Sequence, residues 1–341
     1  MPTGGQVLKR VNVAGFGLIG KERAKAIGKL RAAGHPVELG LIFDPYLEHG
    51  LVEFEGMPIR SVRDWPHLLD DQSDLLILAC PHDLATKYAC AALEAGKSVL
   101  LEKPMGRSLE EARRILSAAS RPNQLSVGFN YRYMPGIRAV LKDVRERRFG
   151  DLISVCMEMG HGGRPGDEVT WKLDPVRCGG GALLDPGIHL LDLIGLIADE
   201  TLNVCFATAW KGFWNTGIEE NVHVLLKSGH VVFNLHVSIV RWRSTFEVTV
   251  HGTDGYGVVL GRGRSYGAQT YTRGERWGWR SGRTQAESED LVLTTDCEDR
   301  FSDELATILG FAPDLEVLNC DARSALASME LYDKIRKYFD Y

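Results

Sequence analysis

The chain has 341 residues, of which 44% are hydrophobic and 25% charged, and its formal net charge is −5. This length favours two domains, and the composition is typical of a globular protein. The acidic balance argues against a general nucleic-acid-binding protein, which normally carries a basic surplus. No apolar run reaches the length that spans a bilayer, which argues against a membrane protein. The seven cysteines show no C-x-x-C spacing, which favours reduced thiols in a cytoplasmic protein and no metal site.

The first part of the chain alternates between short apolar runs and amphipathic stretches, which predicts β–α–β units and a parallel sheet. Ser108 is the expected N-cap of the last helix in this part. The predicted strands are 11–14, 37–43, 75–80, 98–101 and 125–129, and the predicted helices are 19–33, 84–95 and 109–119.

After a predicted helix over 136–148, longer β-rich runs follow one another with short turns, which is typical of a mostly antiparallel sheet. The segment 261–288 is interpreted as a meander or a surface loop. We therefore predict an α/β domain over residues 1–128 and an α+β domain with a large open sheet over 129–341. Alternatively, the terminal helices pack back on the first domain. The predicted strands are 152–159, 201–210, 221–227, 231–240 and 246–251, and the predicted helices are 184–198, 302–310 and 322–338.

A glycine-rich loop, Gly15-Phe16-Gly17-Leu18-Ile19-Gly20, lies between the first predicted strand and the first predicted helix. Gly15 permits a tight turn, Gly17 lets a pyrophosphate approach the backbone, and Gly20 lets the helix pack on the strand. Free N–H groups at the start of a helix favour phosphate. The loop therefore predicts a dinucleotide-binding Rossmann domain in which these six residues line the cofactor.

Asp44 ends the second predicted strand, 24 positions after Gly20. A carboxylate at this place accepts hydrogen bonds from the adenosine ribose and repels a 2′-phosphate, so NAD is favoured over NADP. The alternative is a glycine-rich turn with an aspartate that caps a helix beside Pro45.

Two further segments carry side chains suited to proton transfer. Lys103, in Glu102-Lys103-Pro104, follows a strand at the edge where parallel sheets bind ligands. Asp185 and His189 are four residues apart on one face of the predicted helix 184–198, after three glycines that indicate close backbone approach. Asp192 lies three residues beyond His189 and also reaches it. The alternatives are that Lys103 is a surface lysine, that Asp185 caps the helix, and that His189 is a core histidine whose hydrogen bond Asp192 satisfies.

The motifs Gly-x-Gly-x-x-Gly, Glu-Lys-Pro and Gly-Gly-Gly-x-x-x-Asp-x-Gly-x-His-x-x-Asp, in this order, resemble the Gfo/Idh/MocA oxidoreductase family. The resemblance implies an N-terminal Rossmann domain, a C-terminal α+β domain and a substrate pocket between them. It implies NAD(P)-dependent oxidation or reduction at a hydroxyl or carbonyl carbon of a sugar, cyclitol or nucleotide-sugar. It also implies a homodimer or homotetramer that associates through the C-terminal sheet.

The resemblance also assigns roles to individual residues. Lys103 matches the family lysine that contacts nicotinamide and substrate, His189 the general acid/base, and Asp185 the carboxylate that binds the reacting hydroxyl or orients the histidine. Arg164 and Lys172 would suit an anionic group on the substrate. Further cofactor contacts are expected from Cys80, Pro81, His82 and Glu102, and further substrate contacts from Asn130, Arg132, Arg164, Trp171 and Lys172.

Two other functions stay open at this point. Some members of the family are NAD-dependent glycosidases that act by transient oxidation of the sugar, and others are non-catalytic NAD(P)-binding ligand sensors. The presence of both Lys103 and His189 argues against the sensor. The cluster Trp277-Gly278-Trp279-Arg280 is interpreted as an interface, with a substrate lip as the alternative.

Overall fold

A computed structural model describes residues 7–339 of the chain. Its contacts divide the chain into two compact units, each with its own sheet. The first unit runs to Asn130 and includes the later segment Phe301–Leu326, and the second consists of Tyr131–Arg300 and the chain from Ala327 onward. The predicted domain boundary after residue 128 stays a prediction. A segment near the C-terminus belongs to the first unit.

A mostly parallel sheet forms the first unit. Its strands are β1 (Lys9–Ala14), β2 (Val37–Phe43), β3 (Gly50–Phe54), β4 (Met57–Ser61), β5 (Leu75–Leu78), β6 (Val99–Glu102) and β7 (Leu125–Gly128). The helices between them are α1 (Leu18–Ala32), α2 (Pro66–Asp70), α3 (His82–Glu94) and α4 (Leu109–Ala118). In the order β3-β4-β2-β1-β5-β6-β7, every neighbouring pair is parallel except β3 and β4. The predicted Rossmann domain is confirmed.

The position of the ligand site in this unit follows from the strand order. The chain moves outward from β1 to β2 and then restarts on the other side at β5, so the order reverses between β1 and β5. Ligands of open α/β sheets bind beyond the carboxyl ends of the strands at such a reversal. All four residues of β5 are buried, as expected for a central parallel strand covered on both faces.

The hairpin of β3 and β4 was not predicted from the sequence. Its two strands have five residues each and β3 is largely exposed, so they give little apolar periodicity. Glu55 and Gly56, with φ of 49° and 77°, form the connecting turn. Two successive residues with positive φ match the right-handed twist of the paired strands.

A mostly antiparallel sheet forms the second unit. Its elements are α5 (Pro135–Arg145), β8 (Leu152–Gly160), α6 (Pro175–Cys178), α7 (Ile188–Ile197), β9 (Asn203–Trp210), β10 (Asn221–Ser228), β11 (Val231–Ser238), β12 (Thr245–Gly252), β13 (Gly255–Leu260), β14 (Gln269–Glu275) and β15 (Glu289–Thr295). The order is β15-β14-β13-β12-β8-β11-β10-β9, and only the β8–β11 pair is parallel within the part of the chain that the structure describes. This confirms the predicted open sheet. The C-terminal helices are α8 (Arg300–Ile308) and α9 (Ala322–Arg336).

The two faces of this sheet differ in character. Alternate residues of β8, β10 and β12 are buried, and α5 packs on β13, β14 and α7. The opposite face leaves several large apolar side chains exposed, namely Phe206, Trp210, Leu225, Val232 and Leu260. Segment 261–288 contains β14, which fits the predicted meander, whereas residues 276–285 are mostly exposed turns, which fits the predicted surface loop.

All seven cysteines are free thiols. Within residues 7–339, no helix combines the length and the apolar character needed to cross a bilayer.

Candidate active site

The glycine loop has the geometry expected of a phosphate-binding turn. Gly15 has a φ of 89°, and a Cβ placed there would lie 2.5 Å from the carbonyl oxygen of Ala79. A Cβ on Gly20 would collide with the carbonyl of Gly15. Gly17 is different, because nothing lies within 4 Å of the place its Cβ would take. The first and third glycines are thus required by the fold, and the second leaves room for a ligand.

The residues between the glycines divide into buried and open positions. Phe16 is buried and packs edge-on against Phe54, with ring centroids 5.2 Å apart. Leu18 begins α1 and is exposed, and Ile19 is half-buried behind it. The open backbone at Gly17 and the start of α1 together fit a pyrophosphate.

Asp44 connects the end of β2 to this loop. Its Oδ2 accepts the backbone N–H of Phe16 at 2.7 Å, and its Oδ1 accepts that of Tyr46 at 2.9 Å. A carboxylate oxygen has a second acceptor position. Asp44 can therefore hold the loop and still receive hydrogen bonds from ribose hydroxyls, so these residues fit a dinucleotide.

The predicted cofactor residues Cys80, Pro81 and His82 follow β5. A Cβ on Gly15 would also lie 3.0 Å from the backbone nitrogen of Cys80, so this segment adjoins the glycine loop. Burial raises the pKa of the Cys80 thiol to about 12, which keeps it protonated at neutral pH. His82 is the buried first residue of α3, directly after Pro81.

The end of β6 carries Glu102 and Lys103. Glu102 pairs with the fully buried Arg23 of α1, with 2.6 Å between Oε1 and Nη2. Arg23 also contacts Glu304 at 2.5 Å, and its guanidinium lies over the ring of Phe301. Lys103 is half-buried, and its peptide bond to Pro104 is cis. Glu102 thus joins β6 to α1 and α8, directly beside Lys103.

In the second unit, the three-glycine run packs against protein backbone. The N–H of Gly181 donates to Oε1 of Glu219 at 2.9 Å, and the N–H of Ala182 donates to the Glu219 carbonyl at 2.8 Å. A Cβ on Gly181 would collide with that carbonyl. Glu219 is buried, and burial raises the pKa of its carboxyl. The close approach predicted from the glycines is therefore to the segment around Glu219.

The helix predicted from residue 184 begins only at Ile188, so the expectation that Asp185 and His189 share a helix face is wrong. Residues 182–187 form turns, and the N–H of Asp185 donates to the carbonyl of Gly181 at 2.9 Å. Pro186 has no N–H to donate, which favours a helix start after it. Asp185 therefore precedes α7 in a turn.

His189 lies in the first turn of α7 and is 4% exposed. Its imidazole is stacked on the ring of Tyr131, with centroids 3.8 Å apart and planes 3° from parallel. Phe246 meets the same tyrosine edge-on at 5.7 Å. The imidazole is thus held in one plane by a neighbouring ring.

One turn further along α7, Asp192 forms a buried ion pair. Its two carboxylate oxygens accept hydrogen bonds from Arg132 at 2.8 and 2.6 Å. The two side chains are 1% and 3% exposed. The guanidinium of Arg132 therefore anchors α7, and its contact with a substrate stays a prediction.

A second polar cluster surrounds Asp185. Nζ of Lys172 lies 3.7 Å from Oδ2 of Asp185, and 6.0 Å from the ring centroid of Trp171. His161, directly after β8, belongs to the same cluster. Burial lowers its pKa, and the charge of Asp185 opposes that change. Its Nδ1 accepts the N–H of Gly163 at 3.1 Å, so neutral His161 carries its proton on Nε2.

Two further predicted substrate residues are Asn130 and Arg164. Asn130 is buried at the end of the first unit. Arg164 is exposed, and its backbone N–H donates to Asp167 at 2.8 Å. Of the predicted substrate residues, Lys172 lies near both Trp171 and Asp185.

Three residues near His189 and Asp185 had no assigned role from the sequence: Tyr131, His161 and Arg262. The guanidinium of Arg262 lies 3.8 Å from the ring centroid of Tyr266 and 5.4 Å from that of Tyr131. A signal was present, because Arg262 stands between Gly261 and Gly263, whose φ values are 76° and 82°. Positive φ values favour glycine, so the two glycines indicate a specific backbone conformation on either side of Arg262.

Comparison with known proteins gives two family matches and several relatives. Residues 9–129 match the model of the oxidoreductase family with an NAD-binding Rossmann fold, and residues 137–257 match the GFO/IDH/MocA C-terminal domain. Levoglucosan dehydrogenase of Pseudarthrobacter phenanthrenivorans is 30% identical over 41% of this chain and 37% of that protein. Glucose-6-phosphate 3-dehydrogenase of Bacillus subtilis is 30% identical over 55% of this chain and 53% of that protein. The matched segments thus span about half, or less, of these two relatives.

The fold extends beyond these segments. A solved levoglucosan dehydrogenase in complex with NADH has a TM-score of 0.77 at 18% identity, with 97% of this chain and 96% of that one covered. The two family matches together cover more than two thirds of the sequence. The predicted family is confirmed: the chain belongs to the Gfo/Idh/MocA oxidoreductases and carries their NAD-binding Rossmann domain.

Proposed function

We propose that the protein is an NAD-dependent dehydrogenase that transfers a hydride between nicotinamide and a hydroxyl or carbonyl carbon of a sugar, cyclitol or nucleotide-sugar. The observation that carries the proposal is the buried His189, whose ring is held flat against Tyr131 in a chain with an NAD-binding domain. The relatives named for levoglucosan and glucose 6-phosphate support a sugar-like substrate.

His189 is the proposed general acid/base. A carbinol carbon releases hydride only if its hydroxyl proton also leaves, and an imidazole accepts a proton near neutral pH. Bound NAD supplies the hydride acceptor. Lys103 is proposed to stabilise the developing alkoxide through its positive charge, and Asp185 to accept a hydrogen bond from a substrate hydroxyl.

Asp44 supports NAD as the preferred dinucleotide. Its carboxylate lies at the end of β2 and already bonds the glycine loop. A 2′-phosphate brought to the same place would meet a fixed negative charge. NADP is therefore the weaker cofactor in this proposal.

The test is NADH formation at 340 nm with purified protein, NAD and a panel of aldoses, polyols, inositols and UDP-sugars. His189→Ala is expected to lower kcat by about 100-fold or more, since a positioned acid/base contributes about that factor. His230→Gln, at an exposed histidine, is the matched control. No NADH from any substrate, with release of p-nitrophenol from glycosides, would favour the glycosidase. Cofactor binding without any turnover would favour the ligand sensor.

We also infer a homo-oligomer in the cytoplasm. The exposed apolar side chains Phe206, Trp210 and Leu225 on β9 and β10 support association through this face of the sheet. The free state of all seven cysteines supports a reducing compartment. Light scattering on wild type and Phe206→Asp tests the first point, because a charge at the interface would shift the mass towards the monomer.

A further inference from the structure

The guanidinium of Arg262 is held between two aromatic rings beside His189. It stacks on Tyr266 at 3.8 Å and lies 5.4 Å from the centroid of Tyr131. Tyr131 is the ring that covers the imidazole of His189. Arg262 and the proposed acid/base therefore contact one shared side chain.

The charge of Arg262 is not neutralised by a carboxylate. Within residues 7–339 it forms no ion pair with an acidic side chain, and its buried Nε has no hydrogen-bond partner. Its charged neighbour is another cation, Arg300, whose Nη1 donates to the carbonyl of Cys297 at 2.9 Å. Arg262 is half-buried, and partial burial of a guanidinium without a counter-ion is unfavourable, so an anion that reached it would gain a strong partner.

Arg262 also acts on the cluster around Asp185. Its positive charge lowers the pKa of His161, the same histidine on which the charge of Asp185 acts in the opposite direction. The contact with Tyr131 therefore places Arg262 beside the ring that covers His189, and its charge acts on the same histidine as that of Asp185.

We propose that Arg262 is the anion-binding residue of the substrate site, and that the substrate is a sugar or cyclitol that carries a carboxylate or a phosphate. This inference rests on the proposed dehydrogenase function. The fork of a guanidinium accommodates two oxygens of either anion. The sequence pointed instead to Arg164 and Lys172 for this task. Arg164 is exposed on a loop, and Lys172 is paired with Asp185.

The first experiment measures binding and does not depend on turnover. Inorganic phosphate and glucuronate are titrated into NAD-loaded wild type, Arg262→Gln, Arg262→Lys and the control Arg243→Gln, an exposed arginine of the same unit. We expect Arg262→Gln to weaken binding of both anions by at least about tenfold, Arg262→Lys to be intermediate, and the control to equal wild type. Equal affinities in wild type and Arg262→Gln would overturn the proposal. If Arg262→Gln does not fold, Arg262→Lys, which keeps the charge, takes its place as the test variant, and an affinity equal to that of wild type would then overturn the proposal.

The second experiment compares matched substrates. Glucose, glucose 6-phosphate and glucuronate share a ring and differ in charge, so the two anionic sugars distinguish a phosphate from a carboxylate. We expect wild type to prefer one anionic sugar over glucose by at least about tenfold in kcat/KM, and Arg262→Gln to lose that preference through KM. An unchanged preference in the variant would overturn the role of Arg262. Absence of NADH from every sugar would instead remove the dehydrogenase, while the binding titration would still decide the anion site.

Discussion

The ring of Tyr131 lies flat on the imidazole of His189, with 3.8 Å between centroids and 3° between planes. The stacked ring limits rotation of the imidazole about its side-chain bonds, and rotation would move both ring nitrogens. Tyr131 is therefore a positioning residue for the proposed acid/base.

Two substitutions of Tyr131 should distinguish the contribution of its ring to activity from that of its hydroxyl. We expect Tyr131→Leu to lower kcat/KM by about tenfold, because a stacked aromatic pair contributes about 0.5–1.5 kcal/mol beyond simple burial. Tyr131→Phe keeps the ring and should remain within about twofold of wild type. Steady-state kinetics with the best substrate of the panel measure both. A phenylalanine variant as slow as the leucine variant would show that the hydroxyl, and not the stack, is required.

The buried pair of Arg132 and Asp192 should dominate the stability of α7. Asp192→Asn leaves a buried guanidinium with an uncharged partner, and loss of one member of such a pair costs about 3–5 kcal/mol. Urea unfolding measures the change. The control is Glu146→Gln in the exposed pair with Lys142, where we expect little change. Comparable effects of the two variants would contradict the structural role given to Arg132.

Cofactor choice should depend on the charge of Asp44. Asp44→Asn keeps an oxygen that accepts the N–H of Phe16 and removes the charge that repels a 2′-phosphate. We expect the ratio of kcat/KM for NAD to that for NADP to fall by at least about tenfold. Glu48→Gln removes the same charge from a nearby exposed side chain and should leave the ratio unchanged. An unaltered ratio in Asp44→Asn would mean that another group selects the cofactor.

Two glycines of the loop should respond differently to alanine. Gly20→Ala places a Cβ against the carbonyl of Gly15, so we expect a lower melting temperature even without cofactor. Gly17→Ala meets no protein atom within 4 Å, so it should melt like wild type and bind NAD at least about tenfold more weakly. Thermal unfolding with and without NAD separates the two effects. Normal NAD affinity in Gly17→Ala would place the pyrophosphate elsewhere.

Acid should destabilise the protein partly through His161. Burial lowers the pKa of this imidazole below its ordinary value of 6.5, so the folded state binds its proton less tightly than the unfolded state does. Stability from this group is present above pH 6.5 and falls as the pH drops through that value.

The measurement is the free energy of unfolding at pH 7.5 and 5.5. We expect His161→Gln to reduce the difference between the two, and the exposed His230→Gln to leave it unchanged. His223 and His236, whose pKa values burial also lowers, contribute to the same difference, so the comparison with wild type is the informative quantity. If His161→Gln showed the same difference in free energy of unfolding between pH 7.5 and 5.5 as wild type, the prediction would be contradicted.

The central strands β5, β6 and β7 could be predicted because they are buried almost throughout and therefore read as apolar runs. The start of α7, in contrast, could not be predicted from the sequence. Ala182, Leu183 and Leu184 are buried, which extends the apolar pattern of the helix to earlier residues. They are buried because the turn before the helix packs on Glu219, a contact between segments 38 positions apart. Periodicity records burial and does not record which segment covers a residue.

The candidate site shows the same limit. The Asp-x-Gly-x-His pattern marked Asp185 and His189, since local motifs carry such residues. The pairing of Asp192 with Arg132 spans 60 positions, and the sequence suggested His189 as its partner instead. Arg262 and Tyr131 come from distant parts of the second unit, and no short motif links them.

Arg23 and Glu304 contact each other across 281 positions of the sequence. A ribosome that has completed all seven strands of the first sheet has still to synthesise residues 131–300 before it reaches Glu304. At roughly 5–20 residues per second, this takes about 10–30 s. During that interval the emerging NAD-binding half has Glu102 as the partner of this arginine and lacks Glu304, although its own strands are finished. The half of the protein that is begun first is therefore completed only after most of the second unit has been made, and a nascent chain stalled before α8 should expose this half to chaperones.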